Sequence, residues 1–413
     1  MRKKIAVISL TALLAAGSAY ASGYRIPEQS VNSVARAGAY IAHTPEADAA
    51  YYNPANMSWL ADRGYLETDL TYLHLTSISY RDNRSPLYNG DSSSENFLLP
   101  TFFAVSPRYN KFRLGLSFTL PAGLSKEWSQ PYPKTFAQEF TLKVYEFDGS
   151  VAYKFNDYIS FAAGLRGIHS SAKVASSGTI ATGVKASRYM EGDTNEFGYN
   201  LAATVRPLAN MNLSMTYRSK VDLDLDGNAV LATSAAVPGT PSTYNGAGAV
   251  TIPLPAILAI AGSYTFADRL TVELEYDRTY WSDYKQLDFR YPVALTNPYL
   301  AGAFDAAIPK KWEDSNAWRI GVQYDMKNGF ILMAGFALDK TPIPDSTILF
   351  DLPGSDARIY SMGLRYAVNN KIEVGAAYLY DTKDKRNVAN AKVSGTFDNS
   401  AAHLFTVGLN YKL

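Results

Sequence analysis

Almost everything after Leu60 alternates apolar and polar positions. In MNLSMTYRSKVDLDLDG, Met211, Leu213, Met215, Tyr217, Val221, Leu223 and Leu225 fall on one face, and Asn212, Ser214, Thr216, Arg218, Lys220, Asp222 and Asp224 on the other. A period of two is the mark of a strand between two environments. WRIGVQYD, LTVELEYD and IEVGAAYLY repeat it. Many runs exceed ten residues, whereas strands of soluble proteins average about five or six. Tight turns near Tyr109-Asn110, Asn156-Asp157, Leu208-Ala209-Asn210, Ala267-Asp268, Lys327-Asn328-Gly329 and Asn369-Asn370 alternate with long polar loops. Short turns on one side and long loops on the other, with about fourteen strands, predict an all-β, antiparallel transmembrane barrel.

Composition agrees. Lys+Arg 39 against Asp+Glu 38 leaves the chain almost neutral, which excludes the basic excess of a nucleic-acid binder. With no Cys, disulfides and thiolate metal sites are ruled out, and no cofactor or metal is expected. Mean hydropathy is −0.14, the near-neutral value that alternating faces produce. Arg2-Lys3-Lys4, the apolar run from Ile5 to Ala16 and Ala19-Tyr20-Ala21 read as a signal peptide over 1–21, which directs the chain out of the cytoplasm. The end, HLFTVGLNYKL, resembles the signal read by the barrel-assembly machinery. Tyr153, Tyr158, Tyr264, Tyr324, Tyr366 and Tyr411 cluster near the tight turns, as an interfacial girdle would.

Residues 22–60 break the pattern. The segment is rich in Ala, Ser and Gly and ends in EADAAYYNPANMSWL. A barrel of this size is wider than its side chains can fill, so 22–60 is expected to plug the lumen of the barrel formed by 61–413. Pro54 fixes a turn, and Asn53 before it can hydrogen-bond local backbone. A second irregularity lies in FRLGLSFTLPAGLSKEW, where alternation from Phe112 to Leu120 meets Pro121 and Gly123. Proline cannot donate a ladder bond and glycine permits a bulge, so an interrupted strand is expected there. The inward parity carries many charges, which pair with one another in a polar lumen; Arg166 and Arg218 are the candidates to hold a ligand carboxylate. The four histidines, His43, His74, His169 and His403, stand in no nucleophile motif, and no Gly-x-Ser-x-Gly occurs, so no catalytic residue is assigned.

At this point the chain resembles the FadL-type outer-membrane transporters of long-chain fatty acids and other hydrophobic compounds. SGYRIPEQSVNSVARAGAYIAHTPEADAAYYNPANM is similar to that family's N-terminal hatch, with its motif at Asn53, Pro54 and Ala55; TYRSKVDLDLDGN, YWSDYKQL and AWRIGVQYD resemble its later strands. The resemblance implies a monomeric fourteen-stranded barrel in the outer membrane of a Gram-negative bacterium, among lipid and lipopolysaccharide. It implies passive uptake of a hydrophobic small molecule past a movable hatch and out through a lateral opening in the third strand, at Pro121 and Gly123. It places Tyr24 and Ile26 in the ligand pocket. Trp312-Glu313-Asp314 stand where the family has a basic residue, which keeps neutral or aromatic hydrocarbons open as substrates. A general porin or adhesin barrel is the remaining alternative.

Overall fold

A computed structural model describes residues 23–413; the signal peptide expected over 1–21 lies outside them. The long alternating runs form β1 (Tyr65–Leu75), β2 (Glu95–Val105), β3 (Phe112–Glu127), β4 (Glu139–Lys154), β5 (Ile159–Ala181) and β6 (Val184–Leu208). Next come β7 (Met211–Arg218, continued by Val221–Thr233), β8 (Thr243–Leu254, continued by Ile257–Phe266) and β9 (Leu270–Thr279). The series ends with β10 (Ser315–Asp325), β11 (Phe330–Asp339), β12 (Ala357–Ala367), β13 (Ile372–Lys383) and β14 (Ala401–Lys412). Each pairs antiparallel with its neighbours, and β1 pairs with β14 from Tyr65↔Lys412 to Leu75↔Ala402. The result is a closed barrel of fourteen strands. Closure is what allows strands to cross lipid, because it leaves no edge of unpaired backbone.

The tight turns fall where alternation pauses. Between β8 and β9, Ala267 and Asp268 both have positive φ, 48° and 53°, the left-handed pair that suits the twist of a hairpin. Leu165, Phe197, Trp318 and Met362 form part of an exposed apolar belt; Phe197 is 83% exposed. On a closed barrel such a belt is the face that meets lipid.

The faces of β7 are not those expected. Its first segment exposes Leu213 and Met215 and buries Ser214. Its second buries Leu223 and Leu225 and turns Asp222 and Asp224 outward. Ser219 and Lys220 leave the strand between them, and the strand resumes with its faces exchanged. The single apolar face read over 211–225 is therefore corrected to two opposite ones. Past this break, apolar residues point inward to a core under the loops, as in a water-soluble protein.

Residues 23–60 lie inside the barrel and are buried almost throughout. They hold α1 (Val31–Ala35), α2 (Ala49–Tyr52) and a 3-10 turn (Pro54–Trp59). Ser30 caps α1 by accepting from the Ser33 N–H (3.3 Å). Asn53 Oδ1 accepts from the Ala55 N–H (3.1 Å) just as Pro54 starts the 3-10 turn, so the Asn-Pro-Ala motif is a local cap. The Asn53 amide also donates to Ile41 O (2.7 Å) and to Thr204 Oγ1 on β6 (3.0 Å). The wall accommodates α1 closely: a Cβ on Gly335 would stand 2.1 Å from the Arg36 carbonyl carbon.

Buried carboxylates and guanidinia join segment to wall. Glu273 accepts the backbone N–H groups of Ile41 (2.7 Å), Ala42 (2.6 Å) and His43 (3.0 Å), and Glu275 that of Tyr40 (2.8 Å). Arg319 bonds Glu28 (3.2 Å), Asp277 (3.0 Å) and the Ala37 carbonyl (2.9 Å). Arg365 holds Glu67, Glu373 (3.2 Å) and Asn32 (2.7 Å). Buried ion pairs add little net stability, because desolvation offsets their attraction. They do fix one position for a segment whose small side chains would permit several.

Candidate functional site

The wall has an opening between β2 and β3. β2 pairs with β1 along its whole length, but with β3 only from Phe102↔Phe118 to Val105↔Gly115. Among the described residues no ladder bond joins Glu95–Thr101 to Thr119–Lys126. The gap is closed at its far end, where the Ser93 N–H donates to Glu127 O (2.9 Å) and Ser92 bridges Trp128. It is a window, not a split. The expected interruption takes a different form: β3 runs on unbroken beside β4, with a one-residue bulge between Thr119 and Ala122. What is interrupted is its ladder with β2. Pro121 lies within the bulge and Gly123 just past it. Pro100 stands on the opposite edge and likewise has no N–H to offer; a second proline inside an alternating run was the signal for it.

The N-terminal segment occupies the ladder position that β2 vacates. Ile26 N–H donates to Pro121 O (2.9 Å), and Gly123 N–H donates to Tyr24 O (2.9 Å). Gln29 satisfies Leu120 on both sides, accepting its N–H (2.9 Å) and donating to its carbonyl (3.0 Å). Thr101, on β2, donates to the Gln29 carbonyl (2.9 Å), so this one residue ties both edges of the window. Sequence reading passed over Gln29, because no local pattern relates it to a strand ninety residues away.

Three cavities meet at this tongue. Ile26 lines all of them. One of about 190 Å³ lies at the window, among Leu98, Leu99, Leu120, Leu124 and Tyr145. One of about 160 Å³ lies inward, bounded by Tyr24, Leu73, Lys126, Leu379 and Leu404. The third, about 70 Å³, includes Arg166, Arg218 and Tyr51. Two of the four sequence candidates, Tyr24 and Ile26, are on the tongue, and the other two, Arg166 and Arg218, line a cavity beside it and are occupied by protein carboxylates. Arg166 donates twice to Glu146 (2.9 and 2.7 Å). Arg218 bonds the other oxygen of Glu146, approaches Asp148 (3.7 Å) and lies over the Tyr51 ring (4.4 Å).

Tyr24 is itself held in an aromatic box. Its ring is 4.6 Å from that of Trp281, 5.7 Å from Trp312 and 6.4 Å from Tyr284. Its hydroxyl donates to the Pro253 carbonyl, and burial pushes the phenol well above its usual range. The indole N–H of Trp281 is buried without a partner among the described residues. Four residues on, Glu28 is raised to about 7 by burial, against the pull of Arg319.

These features agree with what the chain is similar to. The profile of the outer membrane protein transport protein family (OMPP1/FadL/TodX) matches residues 12–413. The long-chain fatty acid transport protein of Escherichia coli O6:H1 is 24% identical, over 98% of this chain and 97% of its own. The crystal structure of a Pseudomonas aeruginosa FadL homologue superposes with a TM-score of 0.82 at 20% identity, covering 94% of this chain and 99% of its own. That of the P. putida toluene transporter TodX does so with 0.73 at 18%, covering 93% and 98%. The chain belongs to the outer membrane protein transport protein family (OMPP1/FadL/TodX) and is an outer-membrane transport barrel.

Proposed function

We propose that the protein takes up hydrophobic small molecules, long-chain fatty acids or similar, by passive diffusion through the barrel and out sideways through the β2–β3 window. The long loops face the cell exterior and the tight turns the periplasm. Residues 22–60 act as the hatch of the barrel formed by 61–413, and Tyr24–Ile26 are its moving part. The observation that carries this reading is the window itself, whose vacated ladder position is filled by the tongue that also lines the cavities. A ligand that displaced the tongue would uncover the window. Entry into membrane is favoured over exit to water by about 25 cal/mol per Å² of apolar surface.

A second reading, uptake of small aromatic hydrocarbons, is favoured by the box around Tyr24, in which a phenol ring already fits. The two are separated by mass spectrometry of the organic extract of the purified protein. A fatty acid or an aromatic compound is expected there, together with low steady bilayer conductance. An empty extract with a large steady current would point to a general porin and end the proposal.

A further inference from the structure

We infer that Lys126 holds the ionised head group of an amphipathic acid beside the window, so that the ligand leaves tail first. The inference rests on the lateral exit proposed above. Before the bulge the odd positions of β3, Arg113, Ser117 and Thr119, face inward, while Leu114 and Leu116 face lipid. On an unbroken ladder Lys126, an even position, would also face lipid. The bulge between Thr119 and Ala122 exchanges the faces, and beyond it Ala122 and Lys126 are buried. Lys126 is 5% exposed.

Its ammonium has neither a hydrogen bond nor an ion pair among the described residues, in contrast to Arg166, Arg218, Arg319 and Arg365. The carboxylate of Glu95, on the facing edge of the window, acts on it from beyond ion-pair distance, and Lys383 adds a second positive charge. Asp381, on the same cavity wall, is drawn to Lys383 (3.8 Å). A buried cation without a partner is costly and calls for an anion.

The surroundings say which kind of anion. The cavity that Lys126 lines and the cavity at the window share Ile26, Leu73, Leu75, Gly123, Leu124 and Ser125. One arm of this chamber therefore ends at the buried Lys126, and the other opens at the window among Leu98, Leu99, Leu120 and Tyr145, with Lys143 exposed on its outer rim. A molecule with an acid at one end and an alkyl chain at the other matches both. Its tail gains by entering the bilayer, while the charged head, expensive in hydrocarbon, stays on the lysine until last.

The test compares hexadecanoate with hexadecan-1-ol, which share a tail, by equilibrium binding to the purified full-length protein in neutral detergent. Lys126→Met is expected to weaken acid binding about tenfold or more, in line with the loss of one charge-assisted bond, and to leave the alcohol within twofold. Lys126→Arg should retain the preference. Glu95→Gln removes the competing carboxylate, should raise affinity for the acid alone, and decides the matter if Lys126→Met does not fold. An acid-to-alcohol ratio unchanged in Lys126→Met, or in Glu95→Gln where that is the folded variant, overturns the assignment. Failure of the wild type to bind either probe instead removes the transport reading on which it rests.

Discussion

At the scale of single residues, the tongue is held by a few contacts of different kinds. Tyr24 fills an aromatic box, Gln29 stands in for a missing strand, and Glu28 is docked as a carboxyl that burial has raised to about 7. Gln29→Ala should leave the Leu120 N–H without its partner and quicken its hydrogen exchange, with that of Gly123 following. Unchanged exchange at Leu120 would show that Gln29 does not hold the window. Glu28 makes docking depend on pH. Free in water, its carboxyl titrates near 4.5. Docked, it keeps its proton up to about 7, facing Arg319, Asp339 and Asp381. Docking thus binds a proton, so it is tightest below about pH 4.5 and weakens as pH rises to 7. Protection of the Ile26 and Gly123 amides, with exchange corrected for its intrinsic rise with pH, should fall over that interval, and Glu28→Gln should flatten the dependence. Protection that grows with rising pH would reverse the sign. Tyr24, Ile26, Arg166 and Arg218 were singled out one by one, from resemblance and parity. Their partners were not: Trp281 and Trp312 reach Tyr24 from more than 250 residues away, and nothing local marks them.

At the scale of elements, strands declared themselves and their irregularities did so only in part. Pro121 and Gly123 advertised a disturbed β3, because one lacks a donor and the other admits a bulge. That β3 would run on beside β4 while losing β2 was not legible, since alternation carries no record of which edge is paired. The exchange of faces in β7 was hidden for a related reason. Arg218-Ser219-Lys220-Val221 keeps the period of two in sequence while two residues leave the ladder, and parity arguments fail across any such break. The hatch is the element with the plainest test. Deleting 23–60 should leave strand content intact, because the ladder closes without it. Bilayer conductance should rise sharply. Unchanged current would make the segment a passenger and not a plug.

At the scale of the whole molecule, one wall serves two solvents. Near the tight turns and through the belt, its apolar residues face lipid and its charges face the segment within. Past the break in β7 they turn inward, and the loops close over an apolar core that includes Trp128, Leu223, Trp281 and Phe350. The proposed orientation puts this loop core on the outer side. Cysteines placed in the Lys385–Ser400 loop should react with impermeant reagent on intact cells, and those at Asn156-Asp157 should not; the opposite pattern would invert the barrel.

The central claim, that a hydrophobic ligand leaves sideways between β2 and β3, is met most directly by closing that window. Replacing Pro121-Ala122-Gly123 with Val-Thr-Val removes the proline and the glycine and gives every position along the edge a backbone donor. The measurement is uptake of a hydrophobic probe by cells carrying the variant, beside its binding to the purified protein. Uptake is expected to fall sharply while binding persists. Uptake at the wild-type rate, in a variant whose β2–β3 ladder is shown to be continuous, would contradict the lateral exit.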